Sequence, residues 1–345
     1  MQAEHVDADE LRYLLGDPGA SLPGGDGPSV LLVDVEAARH LDREDASVAR
    51  AMGRAPAGLH AVVVGLADDD AAQPAWCDLV LGRTEHDELG GVLDTVAANP
   101  VASLTLVELL RVSGAMDIDA GVLAESASYG ALQAGGEFAR WRSGRAVSTR
   151  RSTSTTDRVD PPLLVRRDGP VLHLTLHRPS RRNALDVTMR DALVEQLHLV
   201  GSDPTIEQVV LDGAGTDFCS GGDLDEFGSA DDVSLAHLVR LERSIGRALA
   251  RVASRLTVRL HGACIGSGIE LAAFGASVEV HGPVSIGLPE VAMGLIPGAG
   301  GTVSLPRRIG RHRTCRLALT GTRLDGPTAR DWGLADLVDP MPAVP

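Results

Sequence analysis

Residues 262–302 read GACIGSGIELAAFGASVEVHGPVSIGLPEVAMGLIPGAGGT, two acids and three glycine turns in one mostly apolar segment. Glu270 follows Gly266-Ser267-Gly268 and opens the apolar run Leu271 to Phe274. This predicts a buried helix with Glu270 in its first turn, just after exposed backbone N–H groups. Glu290 stands among Leu288, Pro289, Val291 and Met293. An unpaired carboxylate in such surroundings is pushed toward its protonated form. Two of them make a candidate acid/base pair. The plainer alternative is that both acids cap helices or pair with Arg307 and Arg308.

The same grammar recurs upstream. Leu256 to Leu260 predicts a strand leading into the segment, and Ser234 to Ser254 carries Leu238, Leu241, Ile245, Leu249 and Val252 at helical spacing. Before it, in AGTDFCSGGDLDEF, Ser220-Gly221-Gly222 turns the chain tightly where a backbone N–H can approach a ligand. Leu163-Leu164-Val165 and Val171 to Leu176 flank Arg167-Asp168-Gly169, a hairpin signal. A helix over Val187 to Val200 and a strand over Gln208 to Leu211 follow. Strand, helix, strand in that order implies a crossover unit of an α/β fold. His173 and His177 share a strand face without a third ligand and read as surface or hydrogen-bonded residues.

Composition narrows the function classes. At 345 residues the chain exceeds what one core usually fills, so two domains are expected, and 44% hydrophobic residues suffice for a substantial core. The 32 cations against 47 acids leave a formal charge of −15. Broad electrostatic binding to nucleic acid or an anionic membrane is disfavoured. Every one of those cations is arginine. A Walker-type phosphate loop and a Schiff-base enzyme are excluded, since each needs a lysine. The acidic start MQAEHVDADE lacks the apolar stretch of a signal peptide, and no 18-residue apolar run suggests a membrane span, so a cytoplasmic protein is expected. Cys77, Cys219, Cys264 and Cys315 lie far apart without CxxC spacing, as buried thiols rather than a zinc site or disulfides.

The first part, residues 1–145, alternates strand and helix signals. Val30 to Val33 and Ala61 to Val64 read as buried strands, Glu36 to Arg54 as a helix between them. Asp94 to Arg142 suggests two or three helices, with Leu104, Val107 and Leu110 on one face. No acid, histidine or thiol constellation stands out there, which favours a structural or regulatory role. Residues 146–162, AVSTRRSTSTTDRVDPP, read as a linker before a second domain over 163–345.

These motifs together resemble the crotonase superfamily, the enoyl-CoA hydratase and isomerase group. The likeness runs through HRPSRRNALD, FCSGGDL, HGACIGSGIELA, GLPEVAMGLIPGAGGT, LPRRIGR and LTGTRLDGPTARDWGLADLVD, in the family's order. It implies an α/β fold, a crotonase-like ββα spiral carrying an additional N-terminal α/β domain, assembled as a homotrimer or a dimer of trimers. It implies an acyl-CoA thioester substrate, no metal, and no cofactor besides the coenzyme A of the substrate itself. The oxyanion-hole N–H groups map onto Gly222 and Ser267, where removing one donor typically costs about 2.7–4 kcal/mol in the barrier. The two glutamates of a hydratase map onto Glu270 and Glu290, with the Gly298 N–H helping to hold the water. The coenzyme contacts map onto Ser180, Arg182, Ala184, Asp223 and Leu224.

Three departures accompany the resemblance. Ser267 replaces the usual glycine. Asp225 puts an anion where a cation often meets the coenzyme phosphates, and Arg182 is the expected local offset. The chain stops shortly after LADLVD, where family members continue into covering helices, whereas residues 98–145 themselves resemble such a tail. The expectation is that the first part is a degenerate copy of the same fold whose helices supply that cover. Alongside hydration stand isomerisation of an enoyl-CoA and a non-catalytic binding or scaffolding role. Neither Ser220 nor Ser267 lies in G-x-S-x-G, and no G-x-G-x-x-G opens a helix, so serine-hydrolase and dinucleotide readings fall away.

Overall fold

The computed structural model describes residues 3–7, 10–11, 14, 29–38, 59–68, 73–145 and 160–339. Two sheets organise them. In the first part, β1 (Ala3–Val6), β2 (Ser29–Asp34), β3 (Ala61–Ala67) and β4 (Leu79–Gly82) form a parallel sheet in sequence order. Parallel strands covered on both faces read as continuous apolar runs. Alternate residues here divide between two cores: Val30, Leu32, Val62 and Val64 enter the main one, while Leu31, Val33, Ala61 and Val63 join a separate cluster with Trp76. The expected helix over Glu36 to Arg54 is described only as the turn Val35–Ala38, and the rest of it lies outside the described residues, as do residues 146–159 of the expected linker.

Four helices follow: α1 (His86–Ala98), α2 (Pro100–Ser113), α3 (Ile118–Gln133) and α4 (Gly136–Ser143). The helical region therefore begins eight residues earlier than the expected Asp94, because Glu85 and the acids of the first turn, Asp87 and Glu88, suit a helix start. Glu137 of α4 accepts from the N–H groups of Val101 and Ala102 at 2.8 and 2.9 Å, fixing α4 against the start of α2.

The second part is a six-stranded sheet in the order β10-β9-β8-β7-β6-β5, each strand beside its sequence neighbour. These are β5 (Leu163–Asp168), β6 (Val171–Leu176), β7 (Gln208–Gly213), β8 (Leu256–Ile265), β9 (Ser277–Gly287) and β10 (Leu337–Asp339). The hairpin β5–β6 is antiparallel and the rest run parallel. Helix α5 (Val187–Ser202) makes the first crossover. The helix expected over Ser234 to Ser254 is instead two, α6 (Val233–Glu242) and α7 (Ile245–Val252). The break has a local cause: Ser244 is extended, and its hydroxyl accepts from the Arg247 N–H at 3.2 Å, capping α7 in the middle of an apolar pattern that runs on across it. Beyond β8 come α8 (Ser267–Ala272), α9 (Gly301–Ile309), α10 (Arg311–Thr320) and α11 (Gly326–Asp331). Among the described residues no single helix is long and apolar enough to cross a membrane.

The main core crosses from one part to the other. Val92, Val96, Leu106, Leu110 and Val122 of α1–α3 share one apolar cluster with Val303, Leu305 and Leu317 of α9 and α10. Polar contacts run along the same seam: Arg316 of α10 meets Glu85 at 2.7 Å and Glu88 at 2.8 Å, and Arg307 of α9 donates to the Met116 carbonyl at 2.6 Å.

Arg111 is the electrostatic tie between α2 and the four-stranded sheet. Its guanidinium donates to Asp78 at 2.9 and 2.7 Å and to the carbonyls of Leu59 and Ala61. Asp78 also accepts from the Val63 N–H at 2.8 Å. The two side chains are 0% and 2% exposed. Breaking one half of a buried pair leaves an uncompensated charge, so Arg111→Met is expected to lower stability by about 3–5 kcal/mol. Urea denaturation of the parent chain and the variant measures this directly.

Candidate active site

The site is built where β8 ends. Gly266, with φ 51° and ψ −119°, turns the strand into α8, and its carbonyl accepts from the N–H groups of Ile269 and Glu270 at 2.9 Å. Only glycine tolerates that backbone, and a Cβ there would stand well inside contact distance of Glu290 Oε1. The stretch 218–222 is laid alongside: Cys219 donates to the Ala263 carbonyl and accepts from the Ile265 N–H, both at 3.0 Å. This brings Gly222 next to Ser267, so that a Cβ on Gly222 would lie 3.7 Å from Ser267 Oγ. Neither the Gly222 nor the Ser267 N–H has an acceptor among the described residues. Ser267, read as a departure from glycine, sits at the first helical position, where an N–H has no intrahelical partner.

One cavity of about 480 Å³ gathers Gly222, Leu224, Ser267, Glu270, Glu290 and Gly298. Glu270 is 1% exposed, and its Oε2 accepts from the N–H groups of Ala299 at 2.7 Å and Gly301 at 2.9 Å. Glu290 is 7% exposed, and its Oε2 is buried with no hydrogen-bond partner among the described residues. Pairing with Arg307 or Arg308 does not occur: the former donates to Val303 and Met116 carbonyls, the latter to the Leu334 and Gly275 carbonyls and to Asp336. Burial raises Glu270 well above the ordinary carboxyl value, with Glu290 and Glu125 adding like-charge repulsion. Burial also pushes Glu290 up to about 7.

Several residues of this cavity are given no site role by the sequence alone. Glu125, Ser126 and Tyr129 of α3 line it together with Arg240 of α6. Burial pushes Glu125 up to about 7, against the donors that hold its ionised form. The Tyr129 ring lies against Gly298, where a Cβ would come within 2.7 Å of it, and the Arg240 guanidinium sits 5.1 Å from the ring centroid on the same tyrosine. Arg240 also donates to Ser126 and Gln133, clamping α6 onto α3. One signal for this group was present: Val122, Glu125, Ser126 and Tyr129 fall on a single helical face, and that face carries a charge among buried neighbours.

The residues mapped to the coenzyme divide. Leu224 lines the cavity, whereas Ser180, Arg182, Ala184 and Asp223 do not. Ser180 is exposed on the turn Pro179–Arg181, and Ala184 is buried with its carbonyl accepting from Arg178. The expected free charges at this rim are both paired. Arg181 reaches Asp225 at 2.6 Å and Asp223 at 3.0 Å. Arg182 makes a two-pronged contact with Asp217 at 2.9 and 3.0 Å, which holds that carboxyl well below its ordinary range. Among the described residues no group of three or more His, Cys, Asp or Glu is placed to hold a metal ion, and all four cysteines are buried free thiols.

The enoyl-CoA hydratase/isomerase family profile matches residues 166–344, more than half of the chain. The 1,2-epoxyphenylacetyl-CoA isomerase of Escherichia coli (strain K12) is 36% identical over 169 residues, which are 48% of this chain and 64% of that protein. The 2,3-dehydroadipyl-CoA hydratase of the same organism is 33% identical over 178 residues, covering 52% and 69%. A solved enoyl-CoA hydratase from Thermoplasma volcanium GSS1 matches with TM-score 0.48 and 29% identity over 52% of this chain and 72% of its own. The chain thus spans about two thirds of the length of these curated relatives. It belongs to the enoyl-CoA hydratase/isomerase family, with the crotonase-like α/β fold.

Proposed function

We propose that the chain adds water across the double bond of a 2-enoyl-CoA thioester. The observation that carries this reading is the convergence of Glu270, Glu290 and two acceptor-free amides, those of Gly222 and Ser267, on one cavity. The thioester carbonyl accepts from those two N–H groups, which stabilise the enolate oxygen as charge develops on it. Water lies between the two carboxyls with Gly298 N–H beside it. One carboxylate removes its proton as oxygen bonds to the β-carbon, and the other carboxyl delivers a proton to the α-carbon, so the pair ends each turnover with the proton count it began with.

Hydrogen bonding supports the division of labour. Two N–H donors on Glu270 Oε2 favour its ionised form, while Glu290 Oε2 has none. We therefore assign the base to Glu270 and the proton donor to Glu290. Ser180, Arg182, Ala184 and Asp223 are assigned to the nucleotide end of the substrate outside the cavity, and Leu224 to its entrance.

Burial pushes both carboxyls above the ordinary carboxylate range, Glu290 to about 7, so the pair takes up its second proton as the pH falls through neutrality. With both acids protonated no base remains. Activity is expected to fall about tenfold per pH unit as the pH drops below about 7, measured as kcat/KM for crotonyl-CoA. Loss of the conjugated enoyl absorbance with uptake of labelled water oxygen supports hydration. Conversion of a 3-enoyl to a 2-enoyl thioester without water uptake would replace it by isomerisation, and tight binding without turnover by a binding role.

A further inference from the structure

The amides of residues 299–302 are shared out in strict alternation between two carboxylates from distant parts of the chain. Ala299 and Gly301 donate to Glu270. Gly300 and Thr302 donate to Glu125, at 2.7 Å to Oε1 and 2.9 Å to Oε2, and the Thr302 hydroxyl adds a third bond of 2.7 Å. Glu125 is 2% exposed, and it stands on α3, outside the stretch matched by the family profile.

We infer that Glu125 is a positioning residue of the catalytic centre: it fixes the loop whose intervening amides hold Glu270, and its charge governs how many protons Glu270 and Glu290 retain. Two arguments lead there. Each peptide unit is planar and joins the next through only two soft dihedrals, so anchoring the amides of 300 and 302 narrows the directions open to those of 299 and 301. The Glu270 carboxylate therefore takes its orientation from a loop clamped on its far side by Glu125, and Gly298 lies one residue before the clamp. Glu125 also shares the cavity with both acids, so its charge raises the cost of ionising them. The other titratable or charged groups facing it are Tyr129 on its own helix and Arg240 on α6, with His237 of α6 bonded to the adjacent Ser126. None of these is an acid that replaces it at neutral pH.

The inference rests on the hydration reading only for its rate readout, so the test has a second arm. Glutamate-13C-labelled full chain is titrated by NMR, with the signals of Glu270 and Glu290 assigned through E270Q and E290Q. In Glu125→Gln the titrations of both acids are expected to move down by about one pH unit. Crotonyl-CoA turnover is expected to fall about 10- to 100-fold with KM within about threefold of the parent. Glu125→Asp keeps the charge but is too short to span Gly300 and Thr302, so it should slow turnover while leaving both titrations near the parent values. If E125Q lowers the melting temperature and moves neither titration, Glu125 is only a helix cap and the inference is overturned. Should E125Q not fold, E125D decides, and parent-like turnover in it overturns the inference equally. A parent chain that titrates as described but does not turn over crotonyl-CoA removes the proposed function and leaves the role of Glu125 standing.

Discussion

Replacing Glu290 by Gln is expected to lower hydration turnover by about 10²- to 10⁴-fold, with thioester binding kept. Gln fills the same space and cannot deliver a proton. Because Glu290 Oε2 meets no donor among the described residues, the substitution breaks no hydrogen bond at that atom there, and the fold should be indifferent or slightly favoured. Glu270→Gln differs in kind. Its amide must keep an oxygen toward the Ala299 and Gly301 N–H groups, and a neutral amide oxygen is a weaker acceptor for those two donors than the carboxylate. It should lose activity on the same scale and stability by about 1–3 kcal/mol as well. Parallel measurement of turnover, binding of a non-reactive acyl-CoA and urea denaturation separates the two. Parent-like turnover in either variant would sink the assigned acid and base.

The second large effect is at Gly266. A methyl group there collides with Glu290 Oε1, and the backbone, at φ 51°, is one that L side chains rarely adopt. Gly266→Ala must therefore displace the acid, rotate the peptide that carries the Ser267 N–H, or both. Loss of one oxyanion donor alone costs about 10²- to 10³-fold in kcat, and the strained backbone adds about 1–3 kcal/mol against the fold. Turnover should drop by at least about 10²-fold, with a lower urea midpoint. A fully active, fully stable variant would show that neither the acid nor the amide depends on this turn.

How far the sequence reaches follows from which signals are local. Glycine turns, apolar runs and an acid placed among them are written within a few residues, so the strand-to-helix turn at Gly266 and the companion turn at Gly222 are both legible in the sequence. So is the alternation of crossover units that lines up β6 to β8. What escaped was non-local. Glu125 is 175 residues from Gly300, the amide it accepts from, and within its own segment it is one acid on a helix. The paired charges at the rim escaped for the same reason. Asp225 and Arg182 read as exposed opposites, but their partners Arg181 and Asp217 were chosen by the turn Pro179–Arg181 and by the path of 216–219. The break at Ser244 was missed because an apolar period of 3.6 says nothing about a hydroxyl able to cap the backbone within it.

The joining of Glu125 and Glu270 on a single loop also bears on how the protein responds to dilution. Both carboxylates belong to one polypeptide, so the wall contributed by α3 is tethered to the chamber it closes, and its local concentration is a property of the chain rather than of the solution. Dilution from micromolar to nanomolar should therefore cost no activity through release of that wall, as specific activity measured across the range checks.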